Sequence, residues 1–223
     1  MSHSITLNET DCTIIAAMAK HIAPTKDVRY YLRSVCLECT PRGWLAVASD
    51  GHTITVAPLT NPDSDAAPHG MQIIIPRDAA LGLAKCKGEA VLSFELTEGP
   101  RTLRYGASTV ELIDPQNGNP AGWRFPDWRH VVPHSTSGEV AQFNPDLVSQ
   151  IYAVARAMRG KSSAYTIATI NHNGTGAGTI TFPYVDLFAV IMPWRTDEPA
   201  PRPVWVLDDA GPAAVAAVDA IAS

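Results

Sequence analysis

At 223 residues and 46% hydrophobic content, the chain can build one large core or two small ones. Its 18 Pro and 15 Gly favour a strand-rich or mixed fold over a helix bundle. A formal net charge of −5 excludes a broad basic face gripping nucleic acid tightly, and leaves room for a few cations gathered on one surface.

Residues 1–8 lack the basic start and apolar run of a secretory signal. The longest apolar runs are too short to span a membrane, so a cytoplasmic protein is expected. Asn8 is a suitable N-cap, with Glu9 and Asp11 at the positive end of a helix dipole. Ile14, Ile15, Met18 and Ile22 follow at helical spacing, and Pro24 ends the segment. Strands are predicted at residues 31–39, 44–49 and 53–59, with Asp50-Gly51 as a hairpin turn between the last two.

Residues 61–69 read as a polar, Pro-rich loop, residues 71–75 as a strand and residues 78–86 as a short helix. Strands follow at 90–95, 102–105 and 108–112. The layout is helix, strands, helix, strands, which implies a duplicated unit. Residues 114–128 are irregular, as a boundary would be. A third unit then opens with a short strand at 140–143. Asn144 and Pro145 start a helix whose apolar stripe is Leu147, Val148, Ile151, Val154, Ala155 and Met158. Strands are predicted at 165–170, 178–182 and 184–193. A Pro-rich linker spans 196–203, a last strand 203–207, and an Ala/Val-rich helix 212–222.

Little here reads as catalytic. Cys36 and Cys39 form a CxxC string, but no second pair completes a zinc site. The string falls in a strand, where residues three apart point to opposite faces, so reduced apolar thiols are expected. Asp50-Gly51-His52 lacks a nearby nucleophile or metal set. The Gly-rich run 174–178 lies between strands rather than before a helix, so it reads as a hairpin and not a phosphate loop. The expectation is a protein that is not an enzyme and has no cofactor.

Four strings, in order, carry a family resemblance: Asp27-Val28-Arg29-Tyr30-Tyr31-Leu32, Ala48-Ser49-Asp50-Gly51-His52, Phe125-Pro126-Asp127-Trp128-Arg129 and Val190-Ile191-Met192-Pro193-Trp194-Arg195. They resemble the bacterial-type DNA sliding clamp, the DNA polymerase III beta subunit, over its middle domain and part of its last. The resemblance implies an α+β DNA-clamp fold of duplicated helix-plus-antiparallel-strand units. It divides the chain into a complete clamp domain at 1–133, a partial one at 134–195 and a tail at 196–223. Nothing corresponds to the family's first domain, which implies a shortened version of the kind a phage or mobile element carries.

The resemblance also implies a pocket for short peptide motifs of polymerases and other replication proteins. Carried over by motif, its lining is Leu32, Ser49, Gly51, His52, Thr53 and Ile54, with Pro126, His130 and Val131 at the domain junction. Val190, Met192, Pro193, Trp194 and Arg195 come from the last strand. The same strings also suit ordinary turns and strand ends. Clamps contact duplex DNA weakly and non-specifically through their helices. Lys20, Lys26, Tyr30, Arg77, Lys85, Lys87, Arg156, Arg159 and Lys161 lie on or beside the helices here. Cations also gather at helix C-termini through the dipole alone, so this clustering has two readings. The functional expectation is a processivity factor that binds polymerase peptides and encircles DNA as a trimeric or tetrameric ring. The alternative is a non-ring module that captures or inhibits host replication proteins.

Overall fold

A computed structural model describes residues 2–60, 67–95, 101–112, 124–160 and 166–195. Asn8 starts the first helix as its position predicts. Its side-chain oxygen accepts from the Asp11 amide at 2.9 Å, while the Asp11 carboxylate accepts from the Asn8 amide at 3.2 Å. This capping box opens α1 (Glu9–His21). Asp11 is fully buried, and its other oxygen accepts from the Thr60 amide at 2.7 Å and the Thr60 hydroxyl at 3.1 Å. One carboxylate thus ties the start of α1 to the chain just beyond Pro58.

A strand not expected from the sequence precedes that helix: β1 (Ser2–Leu7). Three of its first four residues, Ser2, His3 and Ser4, are polar, and only Ile5 and Leu7 show the alternation of a half-buried strand. The chain continues through β2 (Ser34–Thr40), β3 (Gly43–Ser49) and β4 (Thr53–Pro58). The second half repeats the plan as β5 (Gln72–Pro76), α2 (Arg77–Gly82), β6 (Ala90–Glu95), β7 (Thr102–Tyr105) and β8 (Ser108–Glu111).

Each half is therefore a strand, a helix and a three-stranded meander. The leading strands are exchanged: one sheet runs β1-β6-β7-β8, and β5 lies on β2 in the other. Ile5 faces Leu92 in the first sheet, and Val35 faces Ile75 in the second. Separating the halves would break both sheets.

The third unit holds α3 (Pro145–Arg159), β9 (Thr169–Asn171), β10 (Gly178–Phe182) and β11 (Val185–Ile191). Asn144 caps α3 by accepting from the Asp146 amide, with Pro145 at the first helical position. β11 pairs antiparallel with β4, Val190 opposite Ile54 and Ile191 opposite Thr53. The result is one seven-stranded sheet, β5-β2-β3-β4-β11-β10-β9. Both α2 and α3 pack on α1. One apolar core runs from Ile15, Met18, Trp44 and Leu92 through to Ile151, Ile180 and Ile191. A smaller cluster of Cys36, Val47, Val56, Ile74 and Phe125 fills the opposite face of β2–β5.

Cys36 and Cys39 fall in these two different clusters, so their thiols point to opposite faces of β2. Among the described residues, no group of His, Cys, Asp and Glu could hold a metal, and no helix is long and apolar enough to cross a membrane.

Three local expectations are corrected. The strand predicted at 140–143 is a single bridge, Gln142 to Trp194, because the Ala141 amide donates to the His172 ring at 3.0 Å instead of to a strand. The strand predicted from 31 begins at Ser34, since Tyr30–Leu32 forms a 3-10 turn closed by the Leu32 amide on the Arg29 carbonyl. The helix predicted at 78–86 stops being α-helical at Gly82 and ends in a 3-10 turn, Leu83–Lys85. The loop at 61–66, and the tail strand and helix predicted at 203–207 and 212–222, lie outside the described residues.

Candidate functional site

The junction of β4 and β11 begins at a tight turn. Asp50 accepts from the His52 and Thr53 amides at 2.8 and 2.6 Å, and from the Thr53 hydroxyl at 3.0 Å. Ser49 donates its hydroxyl to the Thr53 carbonyl at 2.7 Å and accepts from the Gly51 amide at 3.0 Å. Gly51 has φ +91°, a conformation that glycine adopts freely. Beyond the end of β11, the Met192 amide still donates to the His52 carbonyl at 2.8 Å. The turn and the end of β11 are thus locked side by side.

Between them opens a cleft of about 260 Å³. Leu32, Ser49, Gly51, His52, Thr53, Ile54, Pro126, Val131, Val190 and Met192 line it, together with Arg29 and Tyr31. Leu32 and Val190 are buried, and Val131 and Met192 are exposed at 45% and 37%. The cleft therefore has a closed apolar floor and an apolar rim open to solvent. Arg29 is fixed beside Gly51 by a paired contact to Asp27 at 2.8 and 3.0 Å and a longer one to the Asp50 carbonyl at 3.3 Å. The Arg29 guanidinium, followed by the Arg29 amide, holds the Asp27 carboxyl down at about 2.

A second clamp holds the other wall. Trp128–Val131 is a 3-10 turn that carries Val131 to the cleft and follows Pro126 directly. Glu38, a buried carboxylate on β2, accepts from the Trp128 indole at 3.0 Å and from Arg129 at 2.7 Å. The Arg129 guanidinium also lies 4.2 Å over the Trp128 ring. Sequence reasoning overlooks Glu38, Arg29 and Tyr31 here. Glu38 did carry a signal: a carboxylate between Leu37 and Cys39 in a buried strand needs a partner.

No family model matches the chain. The beta sliding clamp of Vibrio cholerae is 34% identical over 116 residues, which is 50% of this chain and 29% of that protein. That of Proteus mirabilis is 28% identical over 137 residues, 58% of this chain and 34% of that protein. The DNA polymerase III beta subunit of Thermotoga maritima superposes with a TM-score of 0.63 at 11% identity, covering 94% of this chain and 68% of that one. The Caulobacter crescentus clamp gives 0.59 at 15%, covering 87% and 66%. This chain is a relative of the bacterial beta sliding clamp. The structural matches establish the clamp fold, and the sequence matches establish kinship over about half of the chain. The matched stretches span about a third of the curated clamps' own length.

Four of the residues expected in the cleft of this clamp relative lie elsewhere. His130 is exposed and pairs with Asp127 at 3.0 Å. Trp194 and Arg195 line a neighbouring groove of about 230 Å³ with Val140, Gln142 and Thr175. The cause is the bridge to Gln142: the Trp194 amide donates to the Gln142 carbonyl at 2.7 Å, which takes the chain out of the β11 alternation. Trp194 is 66% exposed there, so it does not stiffen the cleft wall. Pro193 lines neither hollow.

The helix cations also divide. Lys20, Lys26, Lys85, Lys87 and Arg156 are exposed. Burial first, then the charges of Lys20 and Arg156, lower the pKa of His21, so these three groups meet where α1 ends beside α3. Arg77 is instead half-buried and donates to the Ala23 carbonyl at 3.0 Å, closing the end of α1. Arg159 stacks 5.4 Å from the Tyr184 ring. Both have structural partners and are poorer candidates for solvent-facing contacts than the sequence implied. Tyr30 sits in the turn before β2, and Lys161 lies outside the described residues.

Proposed function

We propose that the chain is a clamp-like DNA replication processivity component whose cleft holds short apolar peptide motifs of a DNA polymerase or other replication proteins. The observation that carries this reading is the convergence of Leu32, Ile54, Val131, Val190 and Met192, drawn from four separate segments, on one open cleft. Such a groove takes apolar anchors at little ordering cost, because its walls are already pinned by Glu38 and by the Met192–His52 hydrogen bond. Arg29 at the mouth suits an acidic residue or terminal carboxylate of the bound peptide. The protein acts by binding and not as an enzyme, and works in the cytoplasm. On this reading residues 1–133 form a complete clamp unit, 134–195 part of a second, and 196–223 a tail.

A fluorescein-labelled clamp-binding peptide from a bacterial DNA polymerase tests the proposal by polarisation. Binding in the micromolar range is expected, weakened at least tenfold, or about 1.4 kcal/mol, by Met192→Asp or Ile54→Asp. No binding by the intact protein at high micromolar peptide would overturn it.

A second reading adds DNA. Lys20 and Arg156 are exposed beside the half-buried His21 on the α1–α3 layer, where a duplex passing through a ring of copies would meet them. Three or four chains would be needed to close such a ring. Light scattering with and without primed circular DNA separates this from a non-ring module that captures or inhibits host replication proteins. A chain that stays monomeric under both conditions excludes the ring and leaves the module.

A further inference from the structure

The chain contains three meanders, β2-β3-β4, β6-β7-β8 and β9-β10-β11. The third strands of two of them, β4 and β11, pair antiparallel and join two units into one sheet. The remaining third strand, β8, pairs only with β7 among the described residues. One joint uses two such edges, so a chain with three has one left over.

The outer side of β8 is open to solvent. Ser108, Thr109 and Glu111 are exposed. Ile5, Leu92, Leu103 and Val110 form one row across the core face of this sheet. The first three are buried, and Val110 at the end of the row is only half-buried. The Leu112 amide donates to the Arg101 carbonyl at 2.7 Å. By the alternation of an antiparallel ladder, Val110 and Ser108 also turn their backbone groups to β7. The N–H and C=O groups of Thr109 and Glu111 therefore point outward.

We propose that β8 is an interface with a second copy of the chain, closed by antiparallel pairing of the two β8 strands across a two-fold axis. Thr109 of each copy bonds to Glu111 of the other, and the two Val110 side chains meet at the axis.

A second copy fits for three reasons. First, β4 and β11 are taken by each other, so the meander edge that another copy still offers is its own β8. Second, a two-fold axis at Val110 keeps both core faces on the same side and extends the buried row through the half-covered valine. Third, the charges match. Arg104 and Glu111 are exposed, and no ion pair joins either to another described residue. Arg104 stands opposite Thr109, so both side chains leave the same face. In the dimer Glu111 of the other copy stands on the far side of that Thr109. Each Glu111 then lies two strands, or about 10 Å of backbone, from an arginine of the other copy, within reach of two long side chains. No like charges stand directly opposite.

The joint is shorter than that of β4 with β11, so a weak, concentration-dependent dimer is expected. It is isologous and by itself closes no ring of three.

Sedimentation equilibrium of the full-length protein over the micromolar range tests this. A monomer–dimer equilibrium is expected. Thr109→Pro removes an outward N–H and no bond to β7, so it should weaken the dimer at least about tenfold while the amides of β6 stay protected from exchange. Glu111→Arg should weaken it as well, and adding Arg104→Glu should restore it. A protein that is monomeric at high micromolar concentration overturns the proposal, and so does a trimer. A dimer left intact by the proline uses another surface and overturns it too. A dimer weakened by Glu111→Arg but not restored by the double swap overturns the Val110-centred pairing.

Discussion

The buried carboxylate of Glu38 on β2 accepts from Arg129, a residue 91 positions further along the chain, at 2.7 Å. The same carboxylate takes the Trp128 indole N–H, so two adjacent residues of the turn hang from one strand. Glu38→Ala would leave both donors without this acceptor. A buried pair broken on one side costs about 3–5 kcal/mol, but Arg129 is half-exposed, so about 1–2 kcal/mol is expected in urea unfolding. Glu38→Gln keeps an acceptor for Trp128 and should lose less. Because Pro126 and Val131 are carried by this segment, peptide affinity should fall with Glu38→Ala while Leu32 and Ile54 are untouched.

Asp11 has a comparable role at the other end of the sheet. It closes the capping box on Asn8 and accepts twice from Thr60 while fully buried. Asp11→Ala removes a cap and leaves the Thr60 amide without this partner, a loss of about 2–3 kcal/mol. Denaturant titration measures it. Asn8→Ala, which spares the Thr60 amide contact, should cost only about 1 kcal/mol.

Gly51 is constrained by its backbone and by its neighbour. At φ +91° a side chain is strained, and a Cβ there would stand 2.5 Å from the Arg29 guanidinium. Gly51→Ala should cost about 1 kcal/mol or more of stability. It should also displace Arg29 from the cleft mouth, which a peptide with an acidic end residue would register as a larger loss than one without.

His21 offers a pH readout of the helix layer. Its pKa is lowered by burial and by Lys20 and Arg156, so between that lowered value and the unfolded value of about 6.5 the unfolded chain binds more protons. Stability should therefore rise with pH through that window and fall as pH drops through it, with no further change from this group below it. Duplex DNA whose phosphates approach Lys20 and Arg156 would favour the imidazolium and move the His21 pKa up, which an NMR titration reads directly. An unchanged His21 titration in the presence of bound DNA would place the duplex on another surface.

The thiols should be inert in the folded protein. Cys12 is pushed up to about 12, mainly by burial, and Cys36 well above its ordinary value for the same reason. All four cysteines are buried and unpaired in disulfides. A disulfide-exchange reagent at pH 8 should react with them only at the rate of unfolding, and with all four once urea is added.

Much of the local structure was legible because its chemistry is local. Asn8 and Asn144 mark helix starts through hydrogen bonds to amides two or three residues away, and Asp50-Gly51 marks its turn in the same way. β1 was not legible, because Ser2, His3 and Ser4 mask an alternation that only β6 rewards. Trp194 lies outside the cleft because a backbone bridge to Gln142 turns the chain aside after Ile191, and no residue near Trp194 in the sequence signals that bridge. Glu38 and Arg129 could not be paired from sequence, since β3 to β8 lie between them and no local signal links the two.

By itself, the sequence determined the periodicity, the caps and the kinship strings at Asp27 to Leu32, Ala48 to His52, Phe125 to Arg129 and Val190 to Arg195. Only the tertiary structure decided that β1 crosses to β6, that β4 joins β11, and that Leu32, Ile54, Val131 and Met192 face one cleft. The reason is physical. An edge strand offers the same row of unpaired N–H and C=O groups to any neighbour. Which neighbour it takes is settled by how much apolar surface the resulting pair buries, a sum over residues far apart in the chain.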